Sequence, residues 1–222
     1  MLKRIAWGLF AFAFLMVSAF LAWAVITVMA ARQQTPELVR TAQQAASMKL
    51  TLDDLTPNQL RTLLKVQDPT FFEHNGIAFG DGTMTTITQS LVKQLYFHDF
   101  EPGFARIRQI LIARFALGPL VDKDTQLTLF LNTAYLGTVE GRDIRGFAGA
   151  AQAYFAKFFS ELSDEEFLAL AAMLPAPNRF HPVRNGNLHA RQMDRIRNLV
   201  AGQCEKQGLR DAYFAACDPG VS

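Results

Sequence analysis

The chain has 222 residues, half of them hydrophobic and 11 % aromatic, enough to bury one substantial core and too short for two large ones. Its formal net charge of +2 is close to neutral for this size, and no stretch clusters Lys and Arg densely. Composition therefore gives no reason to invoke nucleic acid as a partner.

The strongest compositional signal comes first. After "MLKR", the run from Ile5 to Ala31 holds no charged residue and is ended by Arg32. Roughly 20 apolar residues span a bilayer, so residues 1–32 are expected to be a single uncleaved anchor. A cleaved signal peptide is the competing reading, because "VMAA" offers small residues, but signal cores usually run about 7 to 15 residues. Lys3 and Arg4 precede the span and Arg32 alone follows it, which favours a cytoplasmic N-terminus with everything after residue 32 outside the inner membrane.

Residues 33–55 are polar and rich in helix formers, as suits a juxtamembrane helix or linker. In "TPNQ", Thr56 is an N-cap, Pro57 takes the first helical position and Gln59 completes a capping box. Pro69 should end that helix near Asp68. "ARIRQILIARFAL" and "DTQLTLFLN" read as further helices, expected to be broken apart by Gly118 and Pro119. "GFAGAAQAYFAKFF" is an Ala-rich, aromatic packed helix, and "SDEEFLALAAMLP" is a nearly all-buried one with Ser163 and Glu166 as its capping box. Only "GTMTTITQSLV" has the β-branched density of a strand, too isolated to build a sheet. Cys204 and Cys217 lie in a C-terminal tail, 201–222, on the side exposed to an oxidising compartment. They can pair, closing a loop worth roughly 3 kcal/mol in the chain-entropy model, or serve as two small buried hydrophobes; they are too few for a metal site.

Three constellations can carry chemistry. Asp68, Glu73 and His74 in "QDPTFFEH" could exchange protons, or simply mark a helix end and a turn. "GDGTMTTITQSLVK" sets glycines, hydroxyls and Lys93 together, which could hold a phosphate without being a P-loop; a capped helix start with a solvated lysine fits equally. Arg106, Arg108 and Arg114 recur on one helix, for an anionic ligand or as a solvated basic face.

Their order along the chain carries more than any one of them. "QDPTFFEHNG" is similar to Glu-Asp-x-x-Phe-x-x-His-x-Gly, and "TTITQSLVK" to Ser-Thr-Ile-Thr-Gln-Gln-Leu-Val-Lys. "RQILIA" is similar to Arg/Lys-Glu followed by a helix, "LFLNTAYLG" to Tyr-Leu-Asn-x-x-Tyr-Phe-Gly, and the segment from Ala150 to Pro182 to the Ala-Ala-x-x-Tyr-Phe-x-Lys and Leu-x-x-x-Glu-Ala helices. From about Gln59 to Val200 the chain thus resembles the peptidoglycan glycosyltransferases of family 51. The resemblance implies a mainly α, lysozyme-like domain over residues 56–200 behind the anchor, of the single-domain type. It implies lipid II or a nascent glycan strand as ligand, a glutamate as general base, and basic and hydroxyl residues, often with a divalent cation, steadying the leaving pyrophosphate. The residues themselves identify no cofactor and no metal site.

The departures from the family pattern shape the expected function. The family's general base falls on Gln67, its second glutamate on Gln109, and a third acid on Thr128. Thr83 and Met84 replace a glycine pair, and the segment from His74 to Thr85, a mobile lobe in the family, is much shorter. An amide keeps the shape of a carboxylate but takes up no proton at physiological pH. Asp68 stays beside Gln67 in the catalytic motif. Phe72, His74, Thr85, Thr86, Gln89, Lys93 and Arg106 are retained for binding. The expectation is a membrane-anchored protein that binds lipid II, glycan or a cell-wall synthesis partner with glycosyltransfer lost or severely weakened. The alternative is an active glycosyltransferase whose base has moved to Asp68 or Glu73. A hydrolase with two flanking carboxylates and a purely structural protein with a closed groove are further readings.

Overall fold

The computed structural model describes residues 2–78, 85–101, 103–208 and 211–220. The fold is mainly α. Helix α1 (Leu2–Gln43) is followed by α2 (Pro57–Gln67), α3 (Ile87–Tyr96), α4 (Phe104–Ile112), α5 (Gly118–Leu120) and α6 (Lys123–Thr133). A hairpin of β1 (Tyr135–Val139) and β2 (Arg142–Arg145) comes next, then α7 (Phe147–Phe155), α8 (Asp164–Met173) and α9 (Gly186–Val200).

At 42 residues, α1 is roughly 63 Å long, about twice a bilayer's hydrocarbon thickness. Its first part is exposed all round, with Trp7, Phe10 and Phe14 among the bare side chains, and it is long and apolar enough to cross a membrane. From Ala31 the pattern changes: Ala31, Thr35 and Val39 are buried, a spacing of four that puts one helix face on the domain. The Thr35 hydroxyl donates to the Ala31 carbonyl and meets the Tyr96 hydroxyl of α3 at 2.5 Å.

Helix α8 is the hub of the core, buried from Phe167 through Met173 and packed by α2, α7, α9 and β1. Phe167 stacks on Phe147 of α7, with ring centroids 5.3 Å apart, and meets Phe159 edge-on. Capping boxes start α2 at Thr56, α3 at Thr86 and α8 at Ser163. The strand expected over "GTMTTITQSLV" is corrected at its second half: the Thr86–Gln89 box and the spacing of Ile87, Leu91 and Val92 outweigh β-branched density, giving α3. Its first three residues, Gly82, Thr83 and Met84, lie outside the described residues.

The break expected at Gly118 and Pro119 is also corrected. Between α4 and α5 the chain makes a π-helical turn, Ala113–Leu117, and runs on through Pro119. Proline has no N–H to give the carbonyl four residues back, here Phe115; Arg32 Nη1 of α1 donates to that oxygen instead, at 2.7 Å. Gly76 packs beneath the same turn with φ +91°, where a Cβ would lie 2.1 Å from the Ala113 carbonyl oxygen.

Asn132 of α6 fastens the segment after α1. Its Oδ1 accepts from the Lys49 and Leu50 N–H groups, and its Nδ2 donates to the Leu50 and Thr128 carbonyls. The β1–β2 hairpin pairs Tyr135 with Arg145 and Val139 with Arg142. It turns at Glu140 and Gly141, both at positive φ, the geometry that suits a two-residue hairpin loop.

The C-terminal tail folds back as a strap. Cys204 and Cys217 are disulfide-bonded with Cα atoms 5.4 Å apart, and Phe214 enters the core. Asp218 accepts from Arg191 and Arg195 of α9, bonds that hold its carboxyl down to about 2 from an ordinary 3.8. A depressed carboxyl pKa contributes stability above the unfolded value that is lost as pH falls through the folded one. Acidification from about pH 4 to pH 2 should therefore lower the amide protection factors, corrected for intrinsic exchange, at residues 211–218 with the disulfide intact, and Asp218→Asn should show the lowered protection already at neutral pH.

Candidate functional site

Helix α2 ends at Gln67, and the next residue turns the chain. Asp68 is fully buried: one carboxylate oxygen pairs with His74 Nε2 at 2.8 Å and the other accepts from the Ile87 N–H at 2.9 Å. Since Ile87 opens α3, the carboxylate sits where a helix N-terminus favours negative charge. At the same end, the Thr86 hydroxyl donates to the Gly76 carbonyl and accepts from the Gln89 N–H, while Gln89 Oε1 accepts from the Thr86 N–H. Lys123 approaches from α6 with its Nζ 4.1 Å from the Phe71 ring centroid. Burial pushes the Lys123 ammonium pKa down, opposed by the charge of Asp68.

This frame borders an open groove of about 1050 Å³. Gln67 from α2, Thr85, Lys93 from α3, and Arg106 and Gln109 from α4 all line it, so five residues singled out in the sequence meet on one surface. Asp68, Phe72, His74, Thr86 and Gln89 do not line it. Phe72 is exposed; the other four are tied up in the polar frame behind the groove. Glu73 is exposed and also lies outside the groove lining.

Both glutamines act as donors. Gln67 Nε2 donates to the Thr85 carbonyl at 3.0 Å, and Gln109 Nε2 donates to the Gln89 carbonyl at 2.7 Å. Gln109 is 1 % exposed, and its Oε1 is buried with no hydrogen-bond partner among the described residues. An ionised carboxylate, which only accepts, would place oxygen against oxygen at either position.

Other groove residues were not singled out in the sequence: Tyr135, the tyrosine inside "LFLNTAYLG", its register partner Arg145, Asp143 opposite Thr138 in the same hairpin, and Lys206 and Tyr213 of the strap. The Glu140-Gly141 pair was the available signal for the hairpin; nothing local marked the strap as a groove wall. The lining cations Lys93, Arg106, Arg145 and Lys206 stand against one lining carboxylate among the described residues, Asp143, which faces Arg145 at 3.4 Å. That donor set does not fit a divalent cation, which takes several oxygen ligands with carboxylates prominent, and no cluster of three candidate ligands occurs among the described residues. A two-carboxylate hydrolytic site is likewise not assembled: Asp68 is enclosed and Glu73 lies elsewhere.

Residues 33–205 match the family model described as Transglycosylase. The chain belongs to this transglycosylase family. Its relatives include penicillin-binding protein 1B of Buchnera aphidicola subsp. Acyrthosiphon pisum, 32 % identical over 67 % of this chain and 21 % of the relative. Penicillin-binding protein 1A of Escherichia coli is 26 % identical over 78 % of this chain and 21 % of the relative, and penicillin-binding protein 1B of the same organism is 29 % identical over 68 % and 19 %. The chain thus spans about a fifth of the length of these relatives. The transglycosylase match begins at residue 33, inside α1, so the helix that carries the apolar run also carries the start of the family domain.

The donor role of the amides has a measurable consequence. Gln109→Glu should lower unfolding free energy by about 1–3 kcal/mol, the range for a buried group left without its partner, and Gln67→Glu, half-buried, by less. A glutamic acid regains a donor when protonated, so its folded pKa would be raised above the unfolded value. The loss should then be small below about pH 4 and grow above it, as checked by urea unfolding at pH 4 and pH 7.5.

Proposed function

We propose that this protein is a membrane-anchored, transglycosylase-family binder of lipid II or nascent glycan in which glycosyltransfer is lost or severely weakened, serving cell-wall synthesis by holding ligand or a partner enzyme. The observation that carries this reading is the groove itself: Lys93 and Arg106 line it beside Gln67 and Gln109, while both positions the resemblance assigns to glutamates hold amides already donating to backbone carbonyls. Lys93 and Arg106 are the groups proposed to meet the pyrophosphate, and Thr85 the hydroxyl beside them.

A general base contributes typically 10² to 10⁴ in rate, about 3 to 5 kcal/mol of barrier. Relocating it to Asp68 would require a carboxylate whose two oxygens are engaged by His74 and Ile87 to reach a groove it does not line. Asp143 is the accessible carboxylate, and its pairing with Arg145 favours a role in shaping charge there. The proposed topology puts α1 through the inner membrane, with Lys3 and Arg4 on the cytoplasmic side and residues after 32 outside, consistent with a bonded Cys204–Cys217 pair.

Purified full-length protein given lipid II in detergent should polymerise it at least about 10²-fold more slowly than an active family member, while still binding it, and Lys93→Ala should weaken that binding. Glycan strands formed at an ordinary enzyme rate, especially if Asp143→Asn abolished them, would overturn the reading.

A further inference from the structure

The transglycosylase match ends at residue 205, yet the groove does not. Lys206, Tyr213 and Phe214 line it from the C-terminal strap. Terminal segments are ordinarily poorly ordered unless tied down, and this one is tied at many points. The disulfide joins Cys204 to Cys217. Asp211 accepts from the Gln207 and Ala215 N–H groups. Asn198 of α9 donates to the Cys217 carbonyl at 3.0 Å, and Asp218 grips Arg191 and Arg195.

These restraints fix two side chains at the groove in different ways. Phe214, 2 % exposed, is the plug that seats the strap in the core. Tyr213 keeps 36 % of its surface exposed, with its ring held edge-on to Phe180 and the Arg179 guanidinium 5.2 Å from its centroid. Lys206 Nζ rests 5.2 Å from the Phe214 centroid. The hairpin adds a second aromatic and cation, Tyr135 with Arg145 5.6 Å from its centroid. Two rigid tyrosines, each beside an arginine, and a lysine form a surface suited to flat, partly apolar rings that carry anions.

We infer that the disulfide-pinned strap builds an additional glycan-strand subsite, with Tyr213 stacking on a sugar ring and Lys206 and Arg145 meeting carboxylates of the strand's stem peptides. The inference rests on the proposed binding function and extends it: Lys93 and Arg106 select the lipid-linked pyrophosphate, whereas the strap and hairpin select polymer length. The family match alone would not supply Lys206 or Tyr213.

The test uses full-length protein in detergent micelles and three probes: lipid II, a soluble single disaccharide with its stem peptide, and long uncross-linked glycan strands. Wild-type protein should bind long strands more tightly than the disaccharide. Tyr213→Ala and Lys206→Met should each weaken long-strand binding about tenfold, the scale of one lost anchoring contact, with lipid II affinity nearly unchanged. Lys93→Ala should do the opposite. Mild reduction of the disulfide should reproduce the Tyr213→Ala loss without a variant being made, with circular dichroism confirming that the helical domain persists. Long-strand affinity unchanged by Tyr213→Ala, Lys206→Met and reduction would overturn the subsite while leaving lipid II binding intact. Absence of wild-type binding to both lipid II and long strands would overturn the function on which it rests.

Discussion

The groove depends on one buried carboxylate. Asp68 joins the end of α2 to the start of α3 by accepting from Ile87 and pairing with His74, and both of its neighbours in space are consequences of that join. Because α3 starts where Asp68 holds it, the Thr85 carbonyl comes within reach of Gln67, and Lys93 and Gln89, later on α3, meet the groove and Gln109 respectively. Removing one partner of such a buried hydrogen-bonded contact is expensive, typically about 1–3 kcal/mol, because the other group stays behind unsatisfied. A group with that burden is poorly placed to collect a proton from a substrate. Its two oxygens are already committed to holding two helices together.

The two glutamines complete this arrangement rather than merely failing to be acids. A carboxylate at position 67 or 109 would have to turn away from the carbonyl that the amide now binds, or be protonated in place. The amides therefore tighten the groove walls, Gln67 to the residue before the α3 cap and Gln109 to the first turn of α3. Rigidity gained in this way suits a binding surface, since ordering costs are met before the ligand arrives. It also means that restoring a base is a two-part change, of chemistry and of side-chain direction.

Much of the helical architecture could be read from local chemistry. Thr56, Ser163 and their partners three residues on are capping boxes that act through neighbouring backbone groups, so a short window of sequence contains the whole interaction. Thr86 and Gln89 form the same device, but the β-branched residues around them suggested a strand. Pro119 illustrates the opposite limit: whether proline ends a helix depends on who serves the carbonyl left without a donor, and here that is Arg32, 83 positions before Phe115. The site divides in the same way. Gln67, Thr85, Lys93, Arg106 and Gln109 were brought together by motif order, yet Asp68, His74, Thr86 and Gln89 have side chains equally apt for ligand or frame, and only geometry separates the two uses. Tyr135 stood inside a quoted motif without being marked for the site, and Tyr213 reaches the groove through a disulfide loop, a contact that no local pattern contains.

The connection between anchor and groove is unusually direct. Helix α1 passes from its bare apolar part to its buried stripe without interruption, and Arg32 and Thr35 lie at the transition, bonded to the π-helical turn and to α3. The same π-helical turn seats Gly76, whose carbonyl accepts from Thr86 at the head of α3. A short chain of contacts therefore leads from the point where α1 leaves its apolar stretch to the residues that set Gln67 and Lys93. In the proposed membrane orientation this fixes the height and tilt of the groove relative to the bilayer through a helix end and two hydrogen bonds, with no flexible linker between. A ligand whose pyrophosphate lies at the membrane surface would then meet a groove already held at a defined level. The arginine that closes the apolar run thus also completes the helix that carries one wall of the site.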